Sequence, residues 1–248
     1  MVRIGALLAL VVLAFPGSTA APDPVWQRAV RTSDLPALER LTAAGVDVNR
    51  AAANGKTALM AAAGKGDAGL LTALIAAGAT VDVRNRNGGT ALMYGAVSGS
   101  TSVIRLLLDH GATVNVVGSN GWSALTIAAV KGHLAIVDLL LSHGADPTLR
   151  DIYGWTVLMR AVATNRPHVA QRLLATGKVD VNAADEQGDT ALHHAVMGAN
   201  PVLVRLLVAA GADVNARDKR GRTPRELAIE SKQSELAGWL ADVAAQRR

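Results

Sequence analysis

Two groups of residues in this sequence have types and spacings that could support chemistry. Gly64-Lys65-Gly66-Asp67-Ala68-Gly69 matches the dinucleotide-binding pattern G-x-G-x-x-G. Imidazole is a common metal ligand, and His193 and His194 are adjacent, while His110 and His143 recur at one spacing in two successive segments. These patterns raise the possibilities of a nucleotide site and of a metal site.

The sequence around these residues favours structural roles for them. A dinucleotide pattern needs a preceding strand, whereas Gly66 lies between two segments with helical periodicity, where a glycine makes the turn. Adjacent helical residues point about 100° apart, so His193 and His194 cannot chelate one ion together. The acidic residues Asp82, Asp146, Asp180 and Asp213 recur at turn positions. The sequence contains no cysteine, no H-E-x-x-H and no G-x-S-x-G. We therefore predict no catalytic residue, no cofactor and no metal, and an enzyme is the weakest of the functions considered.

A regular repeat determines how all these residues are positioned. A hydroxyl residue that follows Gly-x recurs at intervals of 33, 33, 33, 34 and 33, at Thr57, Thr90, Ser123, Thr156, Thr190 and Thr223. A second series of glycines, Gly45, Gly78, Gly111, Gly144, Gly177 and Gly211, keeps the same period with one insertion near Lys178. Such a period is the sequence signature of a repeat architecture.

The chemistry of one unit predicts its local structure. Thr57 can cap a helix that begins at Ala58, and the alanine-rich segment after it has high helix propensity. Gly66 interrupts the chain, and Leu70, Leu71, Leu74 and Ile75 then fall on one helical face before Gly78. One unit is therefore predicted to be helix, turn, helix and hairpin loop, with its apolar face buried by neighbouring units.

The G-x-T-A-L starts, the Gly132-His133 pair and the segment from Leu139 to Asp146 resemble the ankyrin-repeat family. The resemblance implies an all-α solenoid of about seven units with hairpin loops. We predict an N-terminal cap at residues 21–50, a C-terminal cap at 218–248, and five full repeats over 51–217, at about 52–84, 85–117, 118–150, 151–184 and 185–217. Trp26 replaces the buried leucine of the other units. The family's proline survives only as Pro224 and its histidine only as His193, so we expect more apolar packing between units.

The first 20 residues have the pattern of a secretory signal peptide. Arg3 precedes an apolar run from Ile4 to Phe15, and small residues follow as far as Ala20, where we place cleavage. A membrane anchor is the weaker interpretation, because a spanning helix needs about 20 apolar residues. The alanine-rich composition favours a bacterial source and hence the periplasm, with secretion outside the cell as the alternative.

Charge argues against nucleic acid as a partner. The net charge of the chain is +5, and removal of residues 1–20 leaves 24 basic and 20 acidic side chains. A nucleic-acid-binding protein would show clustered Lys and Arg. We expect a monomer that binds a protein of unknown identity and that has no stable membrane anchor after cleavage.

The aromatic residues indicate where such a partner binds. In ankyrin-type stacks the concave surface carries the hairpin tips and the exposed side of the first helices. Of the seven aromatic residues, four fall at these positions in the third to fifth repeats: Tyr94, Trp122, Tyr153 and Trp155. Tyr and Trp often carry binding energy at interfaces. We predict that they anchor the partner, with a polar rim of Lys131, Arg160, Asp189 and His194, although Trp122 and Trp155 could instead pack on neighbouring hairpins.

These observations predict a non-enzymatic scaffold that binds one protein on its concave face. The alternative is an exported inhibitor, immunity-type or effector protein that blocks a particular enzyme or host target.

Overall fold

A computed structural model describes residues 24–246. The predicted signal peptide at residues 1–20 and its cleavage site lie outside the described residues. Within them the chain forms fourteen helices in seven pairs: α1 Pro24–Thr32, α2 Leu35–Ala43, α3 Ala58–Lys65, α4 Ala68–Ala76, α5 Ala91–Ser98, α6 Thr101–Asp109, α7 Ala124–Lys131, α8 Leu134–Ser142, α9 Val157–Ala163, α10 Pro167–Leu174, α11 Ala191–Met197, α12 Pro201–Ala209, α13 Pro224–Glu230 and α14 Ser234–Gln246. The predicted all-α repeat solenoid is confirmed.

The start of each unit follows from the recurring hydroxyl residue. Thr57 Oγ1 accepts a hydrogen bond from the Met60 amide and so caps α3, as predicted. Gly66 ends α3 in the left-handed conformation with φ +76°, which glycine adopts without a side-chain clash. The same hydroxyl cap opens α5, α7, α9, α11 and α13.

The units stack so that each buries the apolar face of the next. First helices pack on first helices, from α3 through α13, and second helices pack on second helices. The core combines the small alanines of the first helices with leucines such as Leu59, Leu92 and Leu125, which are at most 2 % exposed. Trp26 is fully buried at the N-terminal end, as predicted. The stability of such a stack comes from contacts between neighbours.

The hairpin loops are joined by one backbone hydrogen bond at each seam. The Ser119 amide donates to the Asn87 carbonyl at 2.9 Å, and the Lys219 amide donates to the Gln187 carbonyl at 2.9 Å. Equivalent bonds link the other neighbouring hairpins from the second unit onwards. We call the surface formed by these hairpin tips and by the exposed side of the first helices the concave face.

Among residues 24–246 no helix is long and apolar enough to cross a bilayer.

Candidate functional site

A buried carboxylate closes the hairpin of the fifth unit. Asp151 Oδ1 accepts hydrogen bonds from the amides of Tyr153 at 2.9 Å and Trp155 at 3.1 Å. Both amides would otherwise lack a partner inside the loop. Side chains at equivalent positions make the same pair of contacts in other units: Asn85, Asp185 and Asp218.

In the third, fifth and sixth units the remaining atoms of the loop side chain hold a residue of the concave face nine positions further on, whereas Asp218 holds Arg222, four positions further on. Asp151 Oδ2 accepts from Arg160 Nε at 2.7 Å, and the two groups form an ion pair. Asp185 Oδ2 lies 2.9 Å from His194 Nε2. In the third unit the Asn85 amide lies 3.0 Å from the hydroxyl of Tyr94. The hairpins of the third, fifth and sixth units therefore fix the side chain that their own first helix presents.

Arg160 connects two tryptophans of different units. Its guanidinium carbon lies 5.2 Å from the Trp122 ring centroid and 4.2 Å from that of Trp155. Such cation–π contacts are worth about 0.5–2 kcal/mol each. Trp122 Nε1 also donates to Asp151 Oδ2 at 3.3 Å. The cation is thereby held between two rings and beside a carboxylate.

The row of contacts continues into the sixth unit through Trp155, whose ring centroid lies 4.0 Å from that of His194 at a tilt of 37°. We call the four residues Trp122, Arg160, Trp155 and His194 the aromatic stack. It runs across three units of the concave face, and Asp151 and Asp185 hold three of its four side chains: Trp122, Arg160 and His194. The arrangement is a rigid surface for recognition.

The four aromatic residues predicted to bind a partner differ in exposure. Tyr153 is 56 % exposed at a hairpin tip, next to Ile152 at 53 %. Tyr94, Trp122 and Trp155 are half-buried, and Lys56 Nζ lies 5.6 Å from the Tyr94 ring centroid. The packing alternative therefore describes the tryptophans well, while Tyr153 is the aromatic residue that solvent reaches most freely.

The predicted polar rim needs a correction. Asp189 is 9 % exposed and His194 is 6 % exposed, so neither can border a solvent-accessible rim. Burial lowers the pKa of His194, against the opposing effect of its hydrogen bond with Asp185. Arg160 is partly exposed, and Lys131 is exposed at the end of α7. Of the four predicted rim residues, only these two are accessible.

Asp189 is in an unusual position, because its Oδ1 is buried without a hydrogen-bond partner among the described residues. Burial raises the pKa of Asp189 above its ordinary value, although nearby His194 opposes the shift. The native state therefore favours the protonated form of this carboxyl group, and protonation stabilises the fold. Its contribution is present below the ordinary pKa and is lost as pH rises through the raised pKa.

We expect Asp189→Asn to increase the stability of the protein at pH 7. The amide removes a buried negative charge and keeps the shape of the side chain, whereas at pH 3 a protonated carboxyl and an amide are nearly equivalent. Urea unfolding at both pH values checks this, with Asp146→Asn as the control, because a hydrogen bond from Thr148 lowers the pKa of Asp146. A midpoint at pH 7 that is unchanged or lower in Asp189→Asn would contradict the assignment.

The patterns that suggested a nucleotide or a metal serve the fold. Gly66 of the G-x-G-x-x-G pattern ends α3. His193 Nδ1 accepts from the Thr190 amide at 3.1 Å, and its Nε2 lies 3.2 Å from the Arg222 carbonyl of the next unit. In residues 24–246 no group of three or more His, Cys, Asp or Glu side chains could hold a metal ion. Three of the four turn carboxylates, Asp146, Asp180 and Asp213, accept from an amide two positions further on, as predicted. Asp82 instead accepts from the Thr113 amide of the next unit at 3.0 Å.

Sequence reasoning missed the loop residues that organise this surface. Asp151 was not singled out, although the positions 85, 118, 151, 185 and 218 follow the repeat period and carry Asn, Gly, Asp, Asp and Asp. The recurrence of Asn or Asp at this position of the repeat was the signal from which Asp151 could have been identified. The two glycines of the third and fourth hairpins, Gly89 and Gly118, were also overlooked as places where a side chain is missing.

The chain matches the model of a known family along almost all of the described residues. The model described as ankyrin repeats (three copies) matches residues 26–118, 114–185 and 158–246. Among solved structures, the crystal structure of the human ASB11 ankyrin repeat domain is similar, with 27 % identity and a TM-score of 0.72. The match covers 83 % of this chain and 91 % of that one. No curated protein matches the chain.

Proposed function

We propose, since this chain belongs to the ankyrin-repeat family, that it is an exported, non-enzymatic protein that binds another protein on its concave face. Ankyrin repeats are generally modules for protein–protein interaction, and repeat stacks offer extended surfaces for this purpose. The family is typically non-enzymatic. In this chain, Asp151 and Asp185 hold Trp122, Arg160 and His194 of the aromatic stack in place, which supports a role in recognition.

The observation that carries the proposal is an exposed apolar pair beside a rigid surface. Ile152 and Tyr153 are both more than half exposed at the hairpin tip of the fifth unit. Their backbone is held by Asp151, which also holds the guanidinium of Arg160. Exposed apolar groups on a preorganised surface lose little entropy on binding, so they favour an interface.

Export and a monomeric state are parts of the same proposal. Export is supported by the apolar run and the small residues before Ala20 in the sequence. A periplasmic location is supported by the alanine-rich composition, which favours a bacterial source, with release from the cell as the alternative. The monomeric state is supported by the polar residues of the first and seventh units, which lie at the two ends of the described stack.

Site-specific photo-cross-linking tests the proposal. A photoreactive phenylalanine analogue replaces Tyr153 in one sample and Val202 in another, since Val202 is 62 % exposed at the start of α12 and away from the concave face. We expect a single protein from an envelope extract to cross-link through position 153 but not through position 202. Equal cross-linking from both positions would contradict a concave binding site.

A further inference from the structure

An open cleft lies on the concave face between the third and fourth units. Its volume is about 210 Å³. Its apolar part is lined by Met93, Tyr94, Val97, Trp122 and Ile127, and three asparagines and two glycines complete the lining. Val97 is 46 % exposed within it, although it is a large apolar residue. Most side chains of the aromatic stack are covered by neighbours, whereas this cleft offers uncovered apolar surface.

The cleft exists because two side chains are missing. Gly89 occupies the position that holds Trp122 and Trp155 in the next two units, immediately before the helix cap. Trp155 stacks on His194 of the following unit, and Ile127 is the equivalent of His194 for the third unit. An indole at position 89 would therefore cover Ile127. Gly118 also lacks the loop side chain that Asp151 supplies one unit later.

The surface around the cleft carries positive charge. The hairpin tips and first helices of the third to fifth units contain the basic residues Arg84, Arg86, Lys131, Arg150 and Arg160, and one acidic residue, Asp151. Asp151 is buried and paired with Arg160. The two charges of this pair offset each other, so the unpaired charges of this set are those of Arg84, Arg86, Lys131 and Arg150, which are all positive.

Two of these arginines are held in position without being neutralised. Arg84 donates to the Val117 carbonyl at 2.6 Å, and Arg150 donates to the Ala184 carbonyl at 2.7 Å. A carbonyl orients a guanidinium but leaves its net charge intact. Arg86 is exposed and its side chain has no partner among the described residues. Complementary charge of this kind raises association rates and selects partners.

We propose that this cleft receives one bulky apolar side chain from an acidic segment of the partner protein, whose carboxylates lie against Arg84, Arg86 and Arg150. The inference rests on the proposed function and names the class of partner. The apolar side chain takes the place of the indole that Gly89 lacks. A nucleic acid fits less well, because single-stranded nucleic acids stack on open aromatic faces, and the rings of Trp122 and Trp155 are in contact with Arg160.

The variant Gly89→Trp tests the cleft directly. Gly89 does not have a positive φ, and a Cβ atom there would lie 3.1 Å from the Asn85 side-chain amide. The equivalent pair in the fifth unit, Asp151 and Trp155, forms the same loop with a side chain at this position. The same chain already carries tryptophan at this position in two units. We therefore expect the variant to fold normally and to fill the cleft, with thermal unfolding as the check on folding.

A random-peptide library displayed on phage is selected against the protein obtained by expressing the full chain. We expect the selected peptides to contain Asp or Glu on both sides of a Trp, Phe or Leu. A labelled synthetic copy should bind Gly89→Trp at least about tenfold more weakly than the parent. Arg86→Glu should weaken binding by about tenfold, whereas Arg105→Glu, an exposed site on α6 of the same unit, should not change it.

The outcomes separate this inference from the proposed function. If the selected peptides are neutral or basic but bind the Gly89→Trp variant more weakly than the parent, the proposal of an acidic partner segment is overturned. Binding on the concave face would still be supported. Peptides whose binding is unaffected by both Gly89→Trp and Tyr153→Ser would contradict the cleft and the concave site together. Failure to select any peptide, or tighter binding of a single-stranded oligonucleotide or of vesicles of anionic lipid, would overturn the inference.

Discussion

Asp151→Ala should reduce the free energy of unfolding by about 3 kcal/mol, because it breaks a buried ion pair and leaves its partner uncompensated. The carboxylate is fully engaged: one oxygen holds two hairpin amides, and the other holds Arg160 and Trp122. The side chain of Arg160 is 19 % exposed, so water still solvates part of its charge. We therefore expect a loss of stability at the lower end of the range for a broken buried ion pair. Urea unfolding followed by circular dichroism measures the change.

The matched control is Asp151→Asn. An amide oxygen can still accept from the amides of Tyr153 and Trp155, as Asn85 does for its own hairpin in the third unit. The amide nitrogen that replaces Oδ2 cannot accept from Arg160 or Trp122, so both variants lose the ion pair and differ only in the two hairpin bonds. We expect Asp151→Asn to be about 1 kcal/mol more stable than Asp151→Ala. If Asp151→Ala and Asp151→Asn proved equally stable, the hairpin bonds would contribute nothing, and Asp151 would not organise this part of the concave face.

The second large effect on stability is expected from substitutions at two glycines. Gly121 and Gly144 both have strongly positive φ, +79° and +84°. A Cβ atom on Gly121 would lie 2.6 Å from Asp151 Cα in the next hairpin, whereas a Cβ atom on Gly144 would meet nothing within 4 Å. We expect Gly144→Ala to cost about 1 kcal/mol, from backbone strain alone. Gly121→Ala adds overpacking against backbone and should cost about 3 kcal/mol in total.

Chemical denaturation of the two variants measures the difference. Since the backbone conformation is nearly the same at both glycines, the difference isolates the close approach between the fourth and fifth hairpins. Equal losses in the two variants would mean that these hairpins are not in close contact. The positions of the aromatic stack would then need another explanation.

The fold was predictable from the sequence because it depends on features that repeat. Thr57 and its equivalents identify the start of each first helix, and Gly66 identifies where α3 ends, because capping and left-handed turns are local properties.

The site was only partly predictable, because periodicity gives the position of a residue but not what covers it. Asp189 and His194 were assigned to the concave face from their place in the repeat. His194 is buried by Trp155 of the preceding unit, a contact that depends on two particular side chains meeting. The cleft next to Tyr94 likewise requires Gly89 and Ile127 to be neighbours. Such pairings between units cannot be read from one unit at a time.

The central claim is that a protein partner binds the concave face at the exposed apolar pair Ile152 and Tyr153. Titration calorimetry with the partner identified by cross-linking tests this most directly, using the parent, Tyr153→Ser and Val202→Ser. Neither residue is buried, so both variants should fold like the parent. We predict that Tyr153→Ser raises the Kd by about tenfold or more, while Val202→Ser leaves it unchanged. An unchanged Kd in Tyr153→Ser, or a loss of affinity in Val202→Ser, would contradict the account.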